Sequence, residues 1–573
     1  MGANVDPYSL PDTAPVGSFL SRYRRPVWWA LAQSYIAAWT APGDLVLDPF
    51  CHDATVLRAA VAAGRRAVAT TGNPLLALLT RVEAAPPSPT ALQVALGKIH
   101  YAPKLDTPLG EHLDGLYATA CSRCQARVAA NAFVWDRAAN VPVLREYACP
   151  HCQHRAREAV PADEVASHLA FDPQGFHRRL VAERLRIDDG HRRLRQRLLE
   201  LYTPRSIYAL TSLVLKIELL FGPGPLLDAL RAALLHALDL ASKLNRATDE
   251  GWHPVHSLRT PRRFREANVW RTFTEAVQIV ADWPPAPALA LLPSLEEALG
   301  PNEGSHPPAA HIAAEPLPRL AGRLRGRVAL ALSQLPRFEP TFAALSYLWS
   351  GWLLGKEGCR AAERLLRQRA PQEARYLRAL ESALGATAAT LAPQGRMAVV
   401  LRAPATRFLE TLEVGASAAE LPPLEARHGL LDDRLAGRFE VRRAEHQLVF
   451  GPRGAPRPPG AGPARPVDRL AAETAASALA GRGEPAPFGA LHGPLWAALA
   501  RQGPLAPAAG LAGEEALPER LAAAVEQGLE AALASRLAAV AASGDPEQTA
   551  WWLQSAPVGV TPLSDRVEAR VRE

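Results

Sequence analysis

The chain has 573 residues, which at roughly 100 to 200 residues per domain excludes a single compact core. Hydrophobic residues at 48% and charged residues at 21% suit a folded globular protein and exclude a disordered or fibrous one. The net charge of +7 and a pI near 9.2 fit a polyanionic partner, although Lys is confined to five positions while Arg is spread throughout, so local clusters say more than the total.

No apolar run reaches the ~18 residues of a membrane span, so no membrane partner is expected. Met1 to Asp12 has neither the basic lead nor the apolar core of a secretion signal, which predicts a cytoplasmic protein. Six cysteines in a reducing compartment point to metal binding rather than disulfides, with Cys51 and Cys359 expected to be buried thiols.

In chain order, Leu45 to Phe50 (LVLDPF) predicts a buried strand ending in a turn, Ala54 to Ala63 a helix, and Arg66 to Thr71 a second strand. That is a β-α-β opening. Next come Cys121-Ser-Arg-Cys124 and Cys149-Pro-His-Cys152, two knuckles whose short spacing lets the thiolates of one turn reach the same metal ion. Between them AFVWD and VPVLREYA predict a hairpin that brings the knuckles together. Four thiolates leave no open position, so a structural Zn2+ held by Cys121, Cys124, Cys149 and Cys152 is expected, with His151 and His154 exposed beside it.

Arg178, Arg179, Arg184, Arg186, Arg192, Arg193, Arg195 and Arg197 then cluster beside His177 and His191. Either these line solvated helix faces, balanced by Glu183, Asp188, Asp189 and Glu200, or they meet phosphates. Ile207 to Leu240 is apolar but broken by Lys216, Glu218, Asp228 and Arg231, the pattern of buried helices. Arg262, Arg263 and Arg265 form a second basic group.

Trp283 to Pro318 and Gly451 to Pro466 are dense in Pro and Gly and read as loops or linkers. Strands are predicted at Val328 to Leu332 and, after the turn Ala392 to Gly395, at Arg396 to Arg402. Arg438 to Val441 and Gln447 to Phe450 predict an antiparallel hairpin that ends the sheet near residue 452. Beyond it Val467 to Glu573 reads as helical, and Gly481 to Gly503 is similar to the helix-turn-helix part of a winged helix. Trp551 and Trp552 are expected in its core rather than stacked on bases.

Several of these stretches resemble a known family. Asp48-Pro49-Phe50-Cys51, preceded by APGDLVL and followed by Thr55-Val56, resembles the cofactor motif DPF-x-G-x-G-T of amino-DNA methyltransferases, whose glycines let backbone approach S-adenosylmethionine (AdoMet). Here His52 and Ala54 stand at the glycine positions. RRAVATTGNPLLALLTRVEA resembles the stretch in which an acidic residue binds the cofactor ribose; Asn73-Pro74 is kept, and Thr71 stands where the acid would be. Arg22-Tyr23 and Trp28-Trp29 resemble the segment that covers the cofactor. Leu201 to Arg205 (LYTPR) and Phe264 to Trp270 (FREANVW) look like stretches of the zinc-ribbon-containing adenine-specific DNA methylases, so the likeness covers most of the first 450 residues.

That resemblance implies an α/β fold: a Rossmann-like, doubly wound methyltransferase sheet with an inserted zinc ribbon and helical region, plus a mainly helical C-terminal domain. The implied organisation is a first half-domain over 1–100, the ribbon over 101–160, a basic helical target-recognition insertion over 161–320, the second half-domain over 321–452, a linker over 453–466 and the C-terminal domain over 467–573. The implied AdoMet site comprises Asp48, Phe50, His52, Ala54, Thr71 and Asn73, and DNA would meet Arg178, Arg179, Arg192 and Arg193. The family's catalytic Asp/Asn-Pro-Pro-aromatic motif falls on Ser333-Gln334-Leu335-Pro336-Arg337, which puts Gln334 at the acidic position, Leu335 at the first proline and Pro336 at the second.

Altered glycines, a missing acid and an altered catalytic motif together favour a DNA-binding protein that has lost catalysis, working beside an active methylase or restriction partner. Two other readings stand next to it: an active adenine-N6 or cytosine-N4 methyltransferase with divergent motifs, in which Asp53 shares the ribose contact, and a protein-binding scaffold without nucleic acid.

Overall fold

The structure, a computed structural model, describes residues 19–24, 27–186, 190–283, 289–300, 308–336, 339–366, 373–403, 419–431, 443–451, 467–487, 537–541, 550–555 and 559–572, with 412, 415, 416, 491, 493–496 and 498 besides. Helix α1 (Trp29–Trp39) leads into the opening unit: β1 (Leu45–Asp48), α2 (Thr55–Ala62) and β2 (Arg66–Thr70). Its boundaries follow local chemistry. Gly64 takes the left-handed conformation (φ 77°) that ends α2, and Arg65 N–H returns to the Ala60 carbonyl at 2.9 Å to close the cap.

After α3 (Pro74–Ala84) and α4 (Pro89–His100) the chain forms two short hairpins, β3 (Pro103–Lys104) with β4 (Thr107–Pro108) and, past α5 (Leu109–Gly115), β5 (Ala118–Ala120) with β6 (Arg127–Ala129). Strands β7 (Ala132–Asp136) and β8 (Val141–Ala148) make the expected hairpin, and β9 (Arg155–Ala159) extends it. Five helices follow: α6 (Ala162–Leu169), α7 (Phe176–Arg184), α8 (Arg192–Leu199), α9 (Pro204–Leu220) and α10 (Pro225–Leu240).

The next stretch adds strands to the helical, basic insertion expected over 161–320. β10 (Asn245–Thr248), β11 (Gly251–Pro254) and β12 (Arg263–Ala267) join the ribbon hairpin in a single antiparallel sheet of order β11-β10-β12-β7-β8-β9. β12 is RFREA, whose charges hide its strand character; pairing with β7 from Arg263↔Asp136 to Ala267↔Ala132 supplies what local propensity does not. The ribbon is therefore the middle of a larger sheet and not a separate module.

Beyond α11 (Val269–Ala281), the segment 283–318 read as a loop contributes β13 (Ala290–Leu291), α12 (Leu295–Leu299) and β14 (Ala309–Ala313) to the main sheet. Its strands are Ala-rich and carry little strand signal alone. α13 (Ala321–Leu324), β15 (Val328–Gln334), α14 (Pro340–Leu366), α15 (Glu373–Thr390), β16 (Leu391–Ala403), β17 (Pro423–Leu431) and β18 (Arg443–Phe450) complete it. The expected turn at 392–395 is a bulge inside β16, with a register shift where Gly395 approaches the Val328 carbonyl too closely for any Cβ. The partner of β18 is β17; Arg438–Val441, assigned that role from sequence, lies outside the described residues.

The main sheet has the order β13-β14-β2-β1-β15-β16-β18-β17, parallel throughout except that β18 runs against both neighbours. Alternation along the strands sends Leu45, Leu47, Val68, Ala331 and Val399 to one apolar layer and Val46, Ala67, Ala69, Leu330 and Ala398 to the other. Helices α1 and α2 cover the second face, while α12, α13 and α15 cover the first. A third and larger cluster joins the insertion helices to α3 and α14.

In the C-terminal region, helices Val467–Arg482 and Leu563–Arg572 accompany a three-stranded antiparallel sheet of β19 (Ala486–Pro487), β21 (Ala550–Leu553) and β20 (Leu537–Ala541), which a mainly helical reading omitted. Trp551 and Trp552 are half-buried and pack against the cluster of Leu470, Leu479 and Trp496, at the margin of the core rather than within it. The linker 453–466 and most of the helix-turn-helix-like stretch lie outside the described residues. Among those described, no helix is long and apolar enough to cross a membrane.

Candidate metal centre and the strand ends at the topological reversal

The four knuckle thiols converge. Cys121 and Cys152 Sγ lie 3.7 Å apart, Cys124 and Cys149 Sγ 3.6 Å, and all four fall within 4.8 Å of one another. A tetrahedron with Zn–S bonds of ~2.3 Å has edges of about 3.8 Å, close to the two shortest Sγ separations, so the four thiols could hold a zinc-sized ion. His151 and His154 are not in the cluster; the His154 ring rests edge-on against Tyr147. With four thiolates the ion would be closed to substrate and would hold the two knuckles together.

The knuckles are built alike, which the spacing alone did not disclose. Gln125 and Gln153 each follow the second cysteine, each take φ 59°, and each donate their backbone N–H to the first cysteine's carbonyl, at 2.9 and 3.0 Å. Their side-chain amides donate to Ser122 O and Pro150 O, both at 3.2 Å. The repeat Cys-x-x-Cys-Gln was visible in the sequence. It supports the left-handed residue that turns each knuckle.

The ribbon is fixed to its surroundings by buried charge. Arg145 meets Glu158 at 2.7 Å and Glu164 at 3.1 Å, and Tyr147 Oη accepts the Ser122 N–H of the first knuckle at 2.9 Å. Deeper still, Arg205 pairs with Glu266, both almost wholly buried. The Glu266 carboxylate also accepts from Thr203, Ser206 and Trp135, and the Arg205 guanidinium lies 4.5 and 4.8 Å from the Tyr117 and Phe133 ring centres. Burial and the Arg205 charge hold His168 down to about 4. The LYTPR and FREANVW stretches thus meet as one ionic seam between α9, β12 and the ribbon strand β7.

In an open α/β sheet a ligand crevice lies beyond the strand carboxyl ends where the strand order reverses. Here the chain runs outward from β1 through β2 in one direction and through β15 and β16 in the other, so the reversal falls between β1 and β15. Asp48 and Gln334 end these two strands, both 4% exposed.

Ser333 Oγ donates to Asp48 Oδ1 at 2.6 Å, and Phe50 N–H approaches the same oxygen at 3.3 Å. Burial pushes Asp48 up to about 7, with the nearby Asp53 charge adding to it and these two hydrogen bonds opposing. Thr71 Oγ1 accepts from Asn73 N–H at 3.2 Å; Asn73 Oδ1 caps α3 through Leu75 N–H at 3.0 Å, and Asn73 Nδ2 donates to Ser346 at 2.9 Å.

Asp53 Oδ1 accepts Thr55 N–H at 2.9 Å in the turn before α2, and burial raises it to about 6. His52 is half-buried and its carbonyl accepts from Arg24 Nε at 2.8 Å, while Arg24 forks onto Glu83. Ala54 is buried at φ −88°, a conformation that needs no glycine, and Phe50 packs into the apolar layer of the sheet. Arg22 pairs with Asp239, Tyr23 stacks on Phe342 at 4.6 Å, and Trp28 and Trp29, at the start of α1, are half-buried against the second apolar layer. Leu335 is buried and Pro336 half-buried; Arg337 lies outside the described residues.

The Asp48 carboxylate, the Thr71 hydroxyl and the Asn73 amide each already hold a hydrogen bond within the protein, and no carboxylate stands at position 71.

The arginines divide by environment. Arg179, Arg192, Arg193 and Arg197 are exposed and carry no ion pair among the described residues. Arg178 differs: it is half-buried, donates to Leu199 O at 3.4 Å, and burial lowers its pKa. Arg184 forks onto Glu218, Arg186 lies 3.7 Å from Glu183, and Arg195 is buried against Gly190 O. In the second group Arg265 pairs with Glu146 at 2.9 Å, leaving Arg262 and Arg263 exposed.

No known protein family, curated protein or solved structure compared with the chain matches it.

Proposed function

We propose that this chain is a DNA-binding protein of the AdoMet-dependent DNA amino-methyltransferase type in which the crevice has given up catalysis, and that it serves beside an active methylase or restriction partner in the cytoplasm. The observation that carries the reading is the crevice itself. The strand order reverses at β1 and β15, as in a doubly wound Rossmann-like sheet, yet Asp48 is engaged by Ser333 and Asn73 by α3 and Ser346. The zinc ribbon and the exposed Arg179, Arg192 and Arg193 lie in the inserted region between the two halves, the place for target recognition.

Calorimetry with AdoMet and salt-dependent binding to duplex DNA test this together. No heat with AdoMet at millimolar concentration is expected, together with duplex affinity that falls steeply as salt rises. Micromolar AdoMet binding overturns the loss of catalysis. A flat salt response removes DNA and leaves a protein scaffold.

A further inference from the structure

Tyr208, in the second turn of α9, stands at a cleft of about 140 Å³ whose lining includes Phe171, Pro173, His177, Arg178 and Ile207. That is well below the ~300–1,000 Å³ of sites for whole cofactors or drug-sized ligands, so the cleft suits one ring system at its mouth. Around the tyrosine the chain gathers bases from three separate segments. His112 Nε2 lies 2.8 Å from the Tyr208 hydroxyl, the His177 ring meets Tyr208 edge-on at 4.5 Å, and Lys104 Nζ lies 5.1 Å from the ring centre.

Lys216, whose ammonium donates to Pro103 O at 3.1 Å, stands next to Lys104. Two of the five lysines in the protein thus occupy one corner. The lining has one carboxylate, Asp172, and its Oδ1 is taken by Gln174 N–H at 2.8 Å.

We propose that this cleft takes one unpaired nucleotide of single-stranded DNA, its base against Tyr208 and Phe171 and its phosphate against Lys104 and Lys216. Like charges kept together without a carboxylate between them are costly unless an anion joins them. The cost is visible in the titration of the group: after burial, Lys216 lowers Lys104, and Lys104 lowers both His112 and His177. A small anion alone would not need the aromatic walls. Aromatic rings beside a cationic track are how proteins hold single strands, since every base has a π-face and every nucleotide a phosphate. Phe176, 60% exposed at the start of α7, and Arg179 one turn on extend the same surface.

The proposal rests on DNA as the ligand of the insertion, and the test separates the two. Full-length protein is titrated with labelled oligothymidylate and, separately, with duplex, at several salt concentrations. Tyr208→Ala is expected to weaken oligothymidylate binding about 10-fold or more while Tyr208→Phe leaves it nearly unchanged, and Lys104→Ala to lower the salt slope by roughly 0.7. If Tyr208→Ala does not fold, Lys104→Ala and Lys216→Ala carry the test, since both alter surface side chains. Wild-type affinity for oligothymidylate in all of these variants overturns the cleft assignment, even if duplex binding persists. Tight oligothymidylate binding that these variants abolish supports the cleft, even if duplex binding is absent and the reading of the whole protein fails.

Discussion

The hydroxyl of Ser333 and the carboxylate of Asp48 meet at 2.6 Å, tying the carboxyl end of β15 to that of β1 at the point where the strand order reverses. Both side chains are buried. Burial, which this hydrogen bond only partly opposes, leaves Asp48 with an ionisation that costs the fold.

That cost fixes a pH dependence. The unfolded chain ionises Asp48 near its ordinary value of 3.8, the folded chain only near about 7, so between these the folded state holds the extra proton and loses stability as pH rises. The loss is on the order of 2–4 kcal/mol. Asp48→Asn should flatten the decline in Tm between about pH 4 and pH 7 and make the variant the more stable of the two above that range. Asp53 and Asp239, each raised by burial to about 6, keep part of the slope. Identical pH profiles for the two proteins would show that Asp48 is not the group.

Purified protein should contain one zinc ion per chain by atomic emission, bound by Cys121, Cys124, Cys149 and Cys152. Cys149→Ser, at a buried ligand, should lose the metal and open the ribbon to proteolysis around β7 and β8. Full metal content in this variant contradicts the four-thiolate site.

Glu266→Ala leaves the Arg205 guanidinium buried without its counter-charge and should cost about 3–5 kcal/mol, read as a large fall in the thermal midpoint. Arg205→Met combined with Glu266→Met should recover much of that loss. If the single variant is as stable as the parent, the seam does not join α9 to the ribbon sheet.

The two kinds of arginine should separate in binding experiments. Arg192→Glu with Arg193→Glu should weaken duplex DNA binding and reduce the salt slope by about 0.9 for each phosphate that is no longer neutralised. Arg178→Ala, at a half-buried residue bonded to Leu199 O, should instead lower stability. Equal duplex affinity in the double variant and the parent would assign Arg192 and Arg193 to ordinary solvated surface.

Where the determinants are local, the sequence was legible. β1, α2 and β2 appear within a residue or two of expectation because an apolar run, a left-handed Gly64 and a second apolar run lie next to one another. The four cysteines were equally plain, since two residues between ligands is itself the geometry of a knuckle. β12 and β14 were missed because RFREA is charged and AAHIA is small: each becomes a strand through a partner distant in sequence, β7 and β2 respectively.

The same holds at the sites. Nothing near Arg205 announces Glu266, 61 residues on, and the Tyr208 corner collects side chains from around positions 104, 112, 177 and 216, none distinctive within its own segment. At the carboxyl ends of β1 and β15, sequence picked out the positions but not the bonds their side chains make. Those bonds join residues on different elements, as Asn73 on the turn before α3 does with Ser346 in α14.

The union of the ribbon with β12 also sets an order of events at the ribosome. The knuckles at Cys121–Cys124 and Cys149–Cys152 are synthesised, and free to load metal, before α6 to α10 have been made, whereas β12 emerges only after them. Until then the nascent ribbon carries β7 with one edge unpaired, a template for wrong pairing. If the knuckles load metal early, the hairpin would hold that edge short and in register until its late partner arrives. Zinc supply during translation, rather than zinc content at equilibrium, would then govern the yield of folded protein.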